Sequence, residues 1–226
     1  LLEIVTEPDM NSPAEVRSLA IELQRIVRFL GVSEADMQKG HMRFEPNINL
    51  HITKDGRVFK TPVTEVKNLN SFRSVERSIA YEAQRQFDEF IETGKTMEMG
   101  NKRTFGWDDL RQMTYLQREK EEAHDYRYFP DPDLVPVVFD DAMLAKIRSR
   151  MCELPLQMQR RFVADYGLSA YDASALTASL ETADFYEATV NMAGKAAAKP
   201  CANWVMVDLA SRLNKDGKEL GDSPVS

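Results

Sequence analysis

The sequence predicts an α+β chain: a half built on a mixed or antiparallel sheet, then an all-helical half. Three observations carry this. Arg43–Ile52 alternates polar and apolar residues with period two, the pattern of a half-buried strand. Capped amphipathic helices stand on either side of that stretch. From Asp140 onward every segment has helical spacing, with short connections marked by Pro155, Gly167, Gly194 and Gly217. The texture changes near 134–139, which divides the chain into an expected domain over residues 1–135 and a helical one over 136–226.

Within 226 residues, 43% are apolar, enough for real cores, and 29% are charged. A net charge of −7 argues against a general nucleic-acid coat or a membrane-surface protein, though it leaves room for an RNA partner held by a local basic patch. Cys152 and Cys201 lie far apart without metal-ligand spacing, so both are expected to be reduced structural thiols of a cytoplasmic protein. No apolar run approaches the ~20 residues of a membrane span, and no signal peptide is visible. The chain opens on Leu1 without an initiator methionine and stops where Ser223-Pro224 reads as a new helix start, so it is expected to be a piece of a longer protein.

In chain order, Leu1–Val5 reads as a buried strand with one acid, Glu3, in an apolar run. An unpaired buried carboxylate is costly, so Glu3 either faces a cation, metal or cleft, or points to water from an edge strand. Thr6-Glu7-Pro8-Asp9 makes an acidic turn. Ser12, Pro13 and Glu15 form a capping box for a helix whose stripe is Val16, Leu19, Ala20, Leu23, Ile26, Val27 and Leu30, closed by Gly31.

The central stretch follows. Phe44, Ile48, Leu50 and Ile52 fall on one face, and Arg43, Glu45, Asn47, Asn49 and His51 on the other. That polar row holds a cation, a carboxylate, amides and an imidazole, which is either an ordinary wet sheet face or the lining of a polar site. Lys54–Arg57 signals a turn. A second strand at about Val63–Lys67 puts Glu65 and Lys67 beside Glu45 and Asn47 if the hairpin register is simple; a one-residue slip reverses the face. Ser71 or Asn70 caps a long helix with the stripe Val75, Ile79, Ala83, Phe87 and Phe90, ended by Gly94. Strand, amide-rich turn and helix start in series make either an anion site or plain capping.

Met97–Met99 and Arg103–Trp107 look like hairpin strands. The polar-aromatic loop Lys120–Asp133, with His124, Asp125 and Arg127, is either a site loop or a packed boundary. Helices are expected over 140–150, 155–166, 169–179, 180–192 and 200–213, with Phe162, Tyr166, Phe185, Tyr186 and Trp204 mostly in their core. No Walker loop, dinucleotide fingerprint or serine-nucleophile motif occurs.

Three blocks carry a resemblance: Leu2–Asp9, Glu65–Phe72 and above all Lys120–Leu134 (Lys-Glu-Glu-Ala-His-Asp-Tyr-Arg-Tyr-Phe-Pro-Asp-Pro-Asp-Leu). They resemble the B-subunit family of glutamyl/aspartyl-tRNA amidotransferase over nearly the whole chain, and Ala202–Val205 and Asp222–Ser226 are similar to its helical domain. The resemblance implies a cradle-shaped, glutamine-synthetase-like kinase domain followed by a helical domain, with the family's tail domain absent. It implies a carbon–nitrogen ligase subunit using ATP and Mg²⁺. The side-chain carboxylate of Glu-tRNA(Gln) or Asp-tRNA(Asn) is phosphorylated, then amidated with ammonia that an amidase-type A subunit releases from glutamine. A small C subunit and the misacylated tRNA are the other partners. The alternative is a non-catalytic fragment for tRNA docking or assembly.

Residue by residue, Glu3 matches a family carboxylate that binds Mg²⁺. Arg43 and Glu45 match an Arg-x-Asp pattern in which Glu45 is the longer acid, reaching ~1.5 Å further, and is a second expected metal ligand. Asn47 follows in step, and Glu7 lies in the first block. Lys67, Asn68, Asn70 and Ser71 are expected to meet phosphate or substrate, and His124, Asp125 and Arg127 to stabilise charge or shape the site. The family's other metal ligands fall upstream of Leu1, as would zinc-binding cysteines, so no zinc is expected and the chain alone is expected to be inactive. Docking of tRNA is expected on Lys195, Lys199, Arg212, Lys215 and Lys218.

Overall fold

Helix α1 (Pro13–Phe29) begins as its sequence dictates: the Glu15 amide donates to Ser12 Oγ, and the Asn11 amide donates to Glu15 Oε2. The computed structural model describes residues 2–97, 102–119, 132–223 and 225, and the fold is α+β. Two compact units emerge, one of residues 1–21 with 36–138, the other of 22–35 with 139–226. Residues 22–35 therefore group with the helices, not with the sheet half where sequence order put them.

In the first unit, β1 (Asn47–Ile48), β4 (Thr64–Lys67), β5 (Arg103–Asp108) and β6 (Met113–Glu119) form a mixed sheet in the order β1-β4-β5-β6. Strands β4 and β5 are parallel and the other pairs antiparallel. A parallel pair needs a crossover, and α2 (Phe72–Thr93) provides it. Val66, Leu69, Val75, Ile79 and Trp107 form the core between them. A separate hairpin, β2 (His51–Lys54) with β3 (Arg57–Lys60), turns at Asp55 and Gly56, both at positive φ, as a tight two-residue turn requires.

The face that α2 turns to the sheet is not wholly apolar. The expected stripe positions Ala83 and Phe87 give way to Glu82 and Gln86, which are buried, while Phe87 is 43% exposed. Glu82 accepts from Arg85, from Gln86 Nε2 and from the Thr114 hydroxyl. Arg85 also reaches Glu89, which Arg103 holds from β5, and its guanidinium lies over the Phe105 ring. Burial pushes Glu89 up, but the hydrogen bonds and charges of Arg103 and Arg85 outweigh it and hold the carboxyl below its ordinary value.

Several expectations are corrected here. Residues 2–5 form no strand: Leu2 is 76% and Val5 84% exposed, because no strand lies beside them among the described residues. Arg43–Ile52 keeps its alternating exposure through Ile48 but is not one strand. Its ladder breaks at Asn49–Leu50, where the Leu50 amide donates to Thr61 Oγ1, and the two pieces pair in different sheets. Arg103–Trp107 pairs with β6, not with Met97.

The second unit packs α4 (Pro155–Tyr166), α5 (Ala170–Leu176), α6 (Leu180–Ala193) and α7 (Ala198–Asn203) around Phe29, Phe162, Leu176, Tyr186 and Val205. Arg25 donates to the carbonyls of Ser174 and Thr177, fixing the end of α1 within this unit. The helix expected over 200–213 is continuous but contains a π segment, Trp204–Leu209, between α7 and α8 (Ala210–Asp216). Helix α3 (Asp141–Arg148) has no buried residue. Arg161 forks to Glu153 and Glu187, and the Tyr166 hydroxyl donates to Glu187. Those Arg161 bonds hold the Glu187 carboxyl below its usual range against the upward push of burial. The expected basic patch is partly committed: Lys199 pairs with Asp172, and Lys195 lies over the Tyr166 ring. Both cysteines are free thiols.

Candidate active site

The sheet face turned away from α2 carries two cross-strand rows. Residues opposed in register share a face. Asn47 opposes Glu65, Glu65 opposes Thr104, and Thr104 opposes Arg118. Two residues along β4 and β5, and three along the bulged β6, Lys67 opposes Gly106 and Gly106 opposes Tyr115. Extending the β1–β4 register sets Glu45 opposite Lys67, and the side chains meet: Lys67 Nζ lies 2.9 Å from Glu45 Oε2 and 3.9 Å from Glu65 Oε1. Thr104 Oγ1 donates to Glu65 Oε2 at 3.2 Å. One ammonium thus sits between two carboxylates on an open face. A partly exposed pair such as Lys67–Glu45 is worth about 0.2–1 kcal/mol, so stability alone is a weak reason for it.

At the end of β4 the chain turns through Asn68, a non-glycine residue at φ 65°, into the start of α2. Ser71 caps the helix by accepting from the Ser74 amide at 3.0 Å. The Ser74 hydroxyl and Trp107 Nε1 both donate to Asp109 Oδ1. Those bonds, Trp107's first, hold the Asp109 carboxyl below its ordinary value. Asn68 Nδ2 donates to the Tyr115 hydroxyl at 3.1 Å, and Gln117 Nε2 lies 3.4 Å from the same oxygen. Gln117 reaches this face because the β5–β6 register shifts at Thr104/Phe105, leaving one extra residue on β6.

Of the residues expected to matter, the structure brings Glu45, Asn47, Lys67 and Asn68 together. Ser71 stands at the helix start, its oxygen engaged in capping, and Asn70 is exposed beside it. Arg43 is exposed and has the same outward parity as Glu45. Glu3 and Glu7 lie exposed in an irregular segment outside the strands of this sheet. His124, Asp125 and Arg127 lie outside the described residues. Sequence reasoning missed Thr104, Gly106, Tyr115, Gln117 and Arg118. The signal was the alternation Arg103-Thr104-Phe105-Gly106-Trp107, whose even positions share the face of Lys67.

Among the described residues no group of three or more His, Cys, Asp or Glu is placed to hold a metal ion. The Glu45–Glu65 pair still fits one class of ion. Mg²⁺ in phosphoryl-transfer sites takes one or two protein carboxylates and fills its shell with water and phosphate oxygens.

A βαβ crossover covered on one face, with an acid–lysine–acid row on the other, defines an α+β domain with a polar, charge-lined open face. The chain belongs to the GatB/GatE catalytic domain family, whose sequence model matches residues 1–145. Along its full length it is 51% identical to the B subunit of the aspartyl/glutamyl-tRNA(Asn/Gln) amidotransferase of Dechloromonas aromatica (strain RCB), covering 46% of that protein. It is 49% identical to the protein of the same name from Azoarcus sp. (strain BH72), covering 45% of it. The chain spans about half the length of the curated relatives it matches.

Proposed function

We propose that this chain carries part of the carboxylate-kinase site of a tRNA-dependent amidotransferase, on a cradle of the glutamine-synthetase-like kind. The reaction is ATP-dependent phosphorylation of the side-chain carboxylate of Glu-tRNA(Gln) or Asp-tRNA(Asn). Amidation follows, with ammonia released from glutamine by an amidase-type A subunit, and a small C subunit completes the complex. Family membership supports the class of reaction, and the cluster of Glu45, Lys67 and Glu65 across the two rows is the observation that carries the site. Phosphoryl transfer demands positioning and charge neutralisation more than covalent help. Lys67 is the positioned cation of this face: released from Glu45, its ammonium binds a phosphate oxygen. Glu45 and Glu65 would then hold Mg²⁺, which supplies further charge neutralisation when bound.

The test uses the full-length subunit with its A and C partners. Lys67→Met should lower ATP-dependent conversion of Glu-tRNA(Gln) to Gln-tRNA(Gln) by about a hundredfold or more, with the complex still assembling. Turnover like wild type would sink the site assignment. Glu3→Gln separates the two readings of that acid, since its exposed position here gives it no part in the row. Full loss of turnover in that variant would restore Glu3 as a metal ligand. A second role, in assembly, is favoured by the exposed apolar run Leu134, Val135, Val137 and Val138. If assembly were the only role, Lys67→Met would change nothing.

A further inference from the structure

Gly106 is the position without a side chain in the row Glu45–Lys67–Gly106–Tyr115, and something specific fills the space. A Cβ at this residue would lie 2.5 Å from Tyr115 Cζ, 2.6 Å from its hydroxyl and 2.5 Å from Gln117 Nε2. The phenol therefore lies across Gly106 toward the strand that bears Lys67, where it does not pack into either core. Backbone conformation is not what demands glycine, because φ at Gly106 is not positive; the close approach is.

The hydroxyl chemistry is directional. Its oxygen accepts from Asn68 Nδ2 and from Gln117 Nε2. A phenol oxygen accepts hydrogen bonds and its single O–H donates one. With two amide N–H groups directed at the oxygen, the O–H hydrogen is left to donate elsewhere, and among the described residues it donates no hydrogen bond. The side chain is 45% exposed, so this donor is presented on the open face. Aromatic cover for a strand glycine is a known structural device, but phenylalanine provides it equally well. Cover alone gives no reason for two amides to converge on the phenol oxygen.

We propose that Tyr115 is a substrate-positioning residue whose hydroxyl donates, alongside the Lys67 ammonium, to an oxyanion of a bound substrate. This rests on the kinase reading above and names a further contact at the same site. Two oxyanions belong to that reaction, a nucleotide phosphate and the side-chain carboxylate of the aminoacyl-tRNA.

The experiment is steady-state kinetics of the complete complex carrying Tyr115→Phe, which keeps the ring over Gly106 and removes only the hydroxyl. ATP is varied at saturating aminoacyl-tRNA, then the reverse. A hydrogen bond to a charged oxygen predicts that one KM rises about tenfold, with kcat changed less than about threefold. A rise for ATP identifies the phosphate as acceptor, and a rise for aminoacyl-tRNA identifies the carboxylate. Both constants unchanged would overturn the proposal and leave Tyr115 as glycine cover. Gly106→Ala, which displaces the ring, should raise the same KM; a lowered melting temperature with no change in KM would also overturn it. Calorimetric titration with ATP and with aminoacyl-tRNA reads the contact without turnover. An inactive wild-type complex would therefore count against the kinase reading, whereas equal Kd values for wild type and Tyr115→Phe with both ligands count against this one.

Discussion

Glu82 offers the sharpest test of how the sheet is held to α2. Its side chain is 0% exposed and accepts four hydrogen bonds, from Arg85 Nε and a terminal Arg85 nitrogen, Gln86 Nε2 and Thr114 Oγ1. Glu82→Gln keeps the shape but turns one acceptor oxygen into a donor facing donors. Breaking a buried pair by removing one partner costs about 3–5 kcal/mol. Arg85 retains Glu89 and is partly exposed, which puts the expected loss near the lower end, about 3 kcal/mol. With a urea slope of about 2 kcal/mol/M, the midpoint should fall by about 1.5 M. Trp107 lies in this core and Trp204 in the other unit, so unfolding is followed by tryptophan fluorescence in a Trp204→Phe background. A midpoint within about 0.3 M of the parent, less than 1 kcal/mol at that slope, would refute the claim that this network couples helix to sheet.

Two further predictions concern acid and the helical unit. Because Arg161 holds the Glu187 carboxyl below its unfolded value, Glu187 contributes stability that is present above the ordinary carboxylate range near pH ~4. That contribution is lost as pH falls through the lowered value, and urea midpoints against pH should show the acid loss flattened in Glu187→Gln. Asp184 has the opposite sign: although the residue is exposed, partial desolvation, then the charges of Glu187 and Glu181, raise its carboxyl above the usual value. Its ionisation weakens the fold as pH rises through that value, so Asp184→Asn should stabilise the protein at neutral pH, with the gain vanishing in acid.

Local rules wrote much of the fold into the sequence. The α1 capping box, the Asp55-Gly56 turn, the Ser71 cap and the Gly94 stop each arise from residues within one turn of one another. The α2 stripe departs from its apolar pattern because periodicity cannot register a buried acid; Glu82 is tolerated only because Arg85, Gln86 and Thr114 converge on it from two elements. The β6 strand gives little signal because its residues look polar, yet its pairing with β5 places half of them on an open face. At the site, the β1–β4 register is readable as a conditional, and the Lys67–Glu45 contact meets the condition. Tyr115 could not be found that way, since its position depends on a glycine in the neighbouring strand and on a bulge that aims Gln117.

The charge on the open face argues for how such a site must work. Lys67 and Arg118 stand against Glu45 and Glu65 in the two rows, so the rows are formally neutral. Lys67 is already engaged with Glu45. On the proposed function, a triphosphate entering this face would add several negative charges beside two carboxylates. Repulsion between like charges grows as the effective dielectric falls. One lysine turning from Glu45 to a phosphate cannot offset that and also leaves Glu45 unpaired. An oxygen-preferring divalent cation, with Glu45 and Glu65 as the residues to hold it, would supply the positive charge that relieves both problems. On the proposed function the longer side chain at position 45 would suit that role, because a carboxylate that spans the gap to Lys67 at 2.9 Å would also have the reach to help Glu65 hold such an ion.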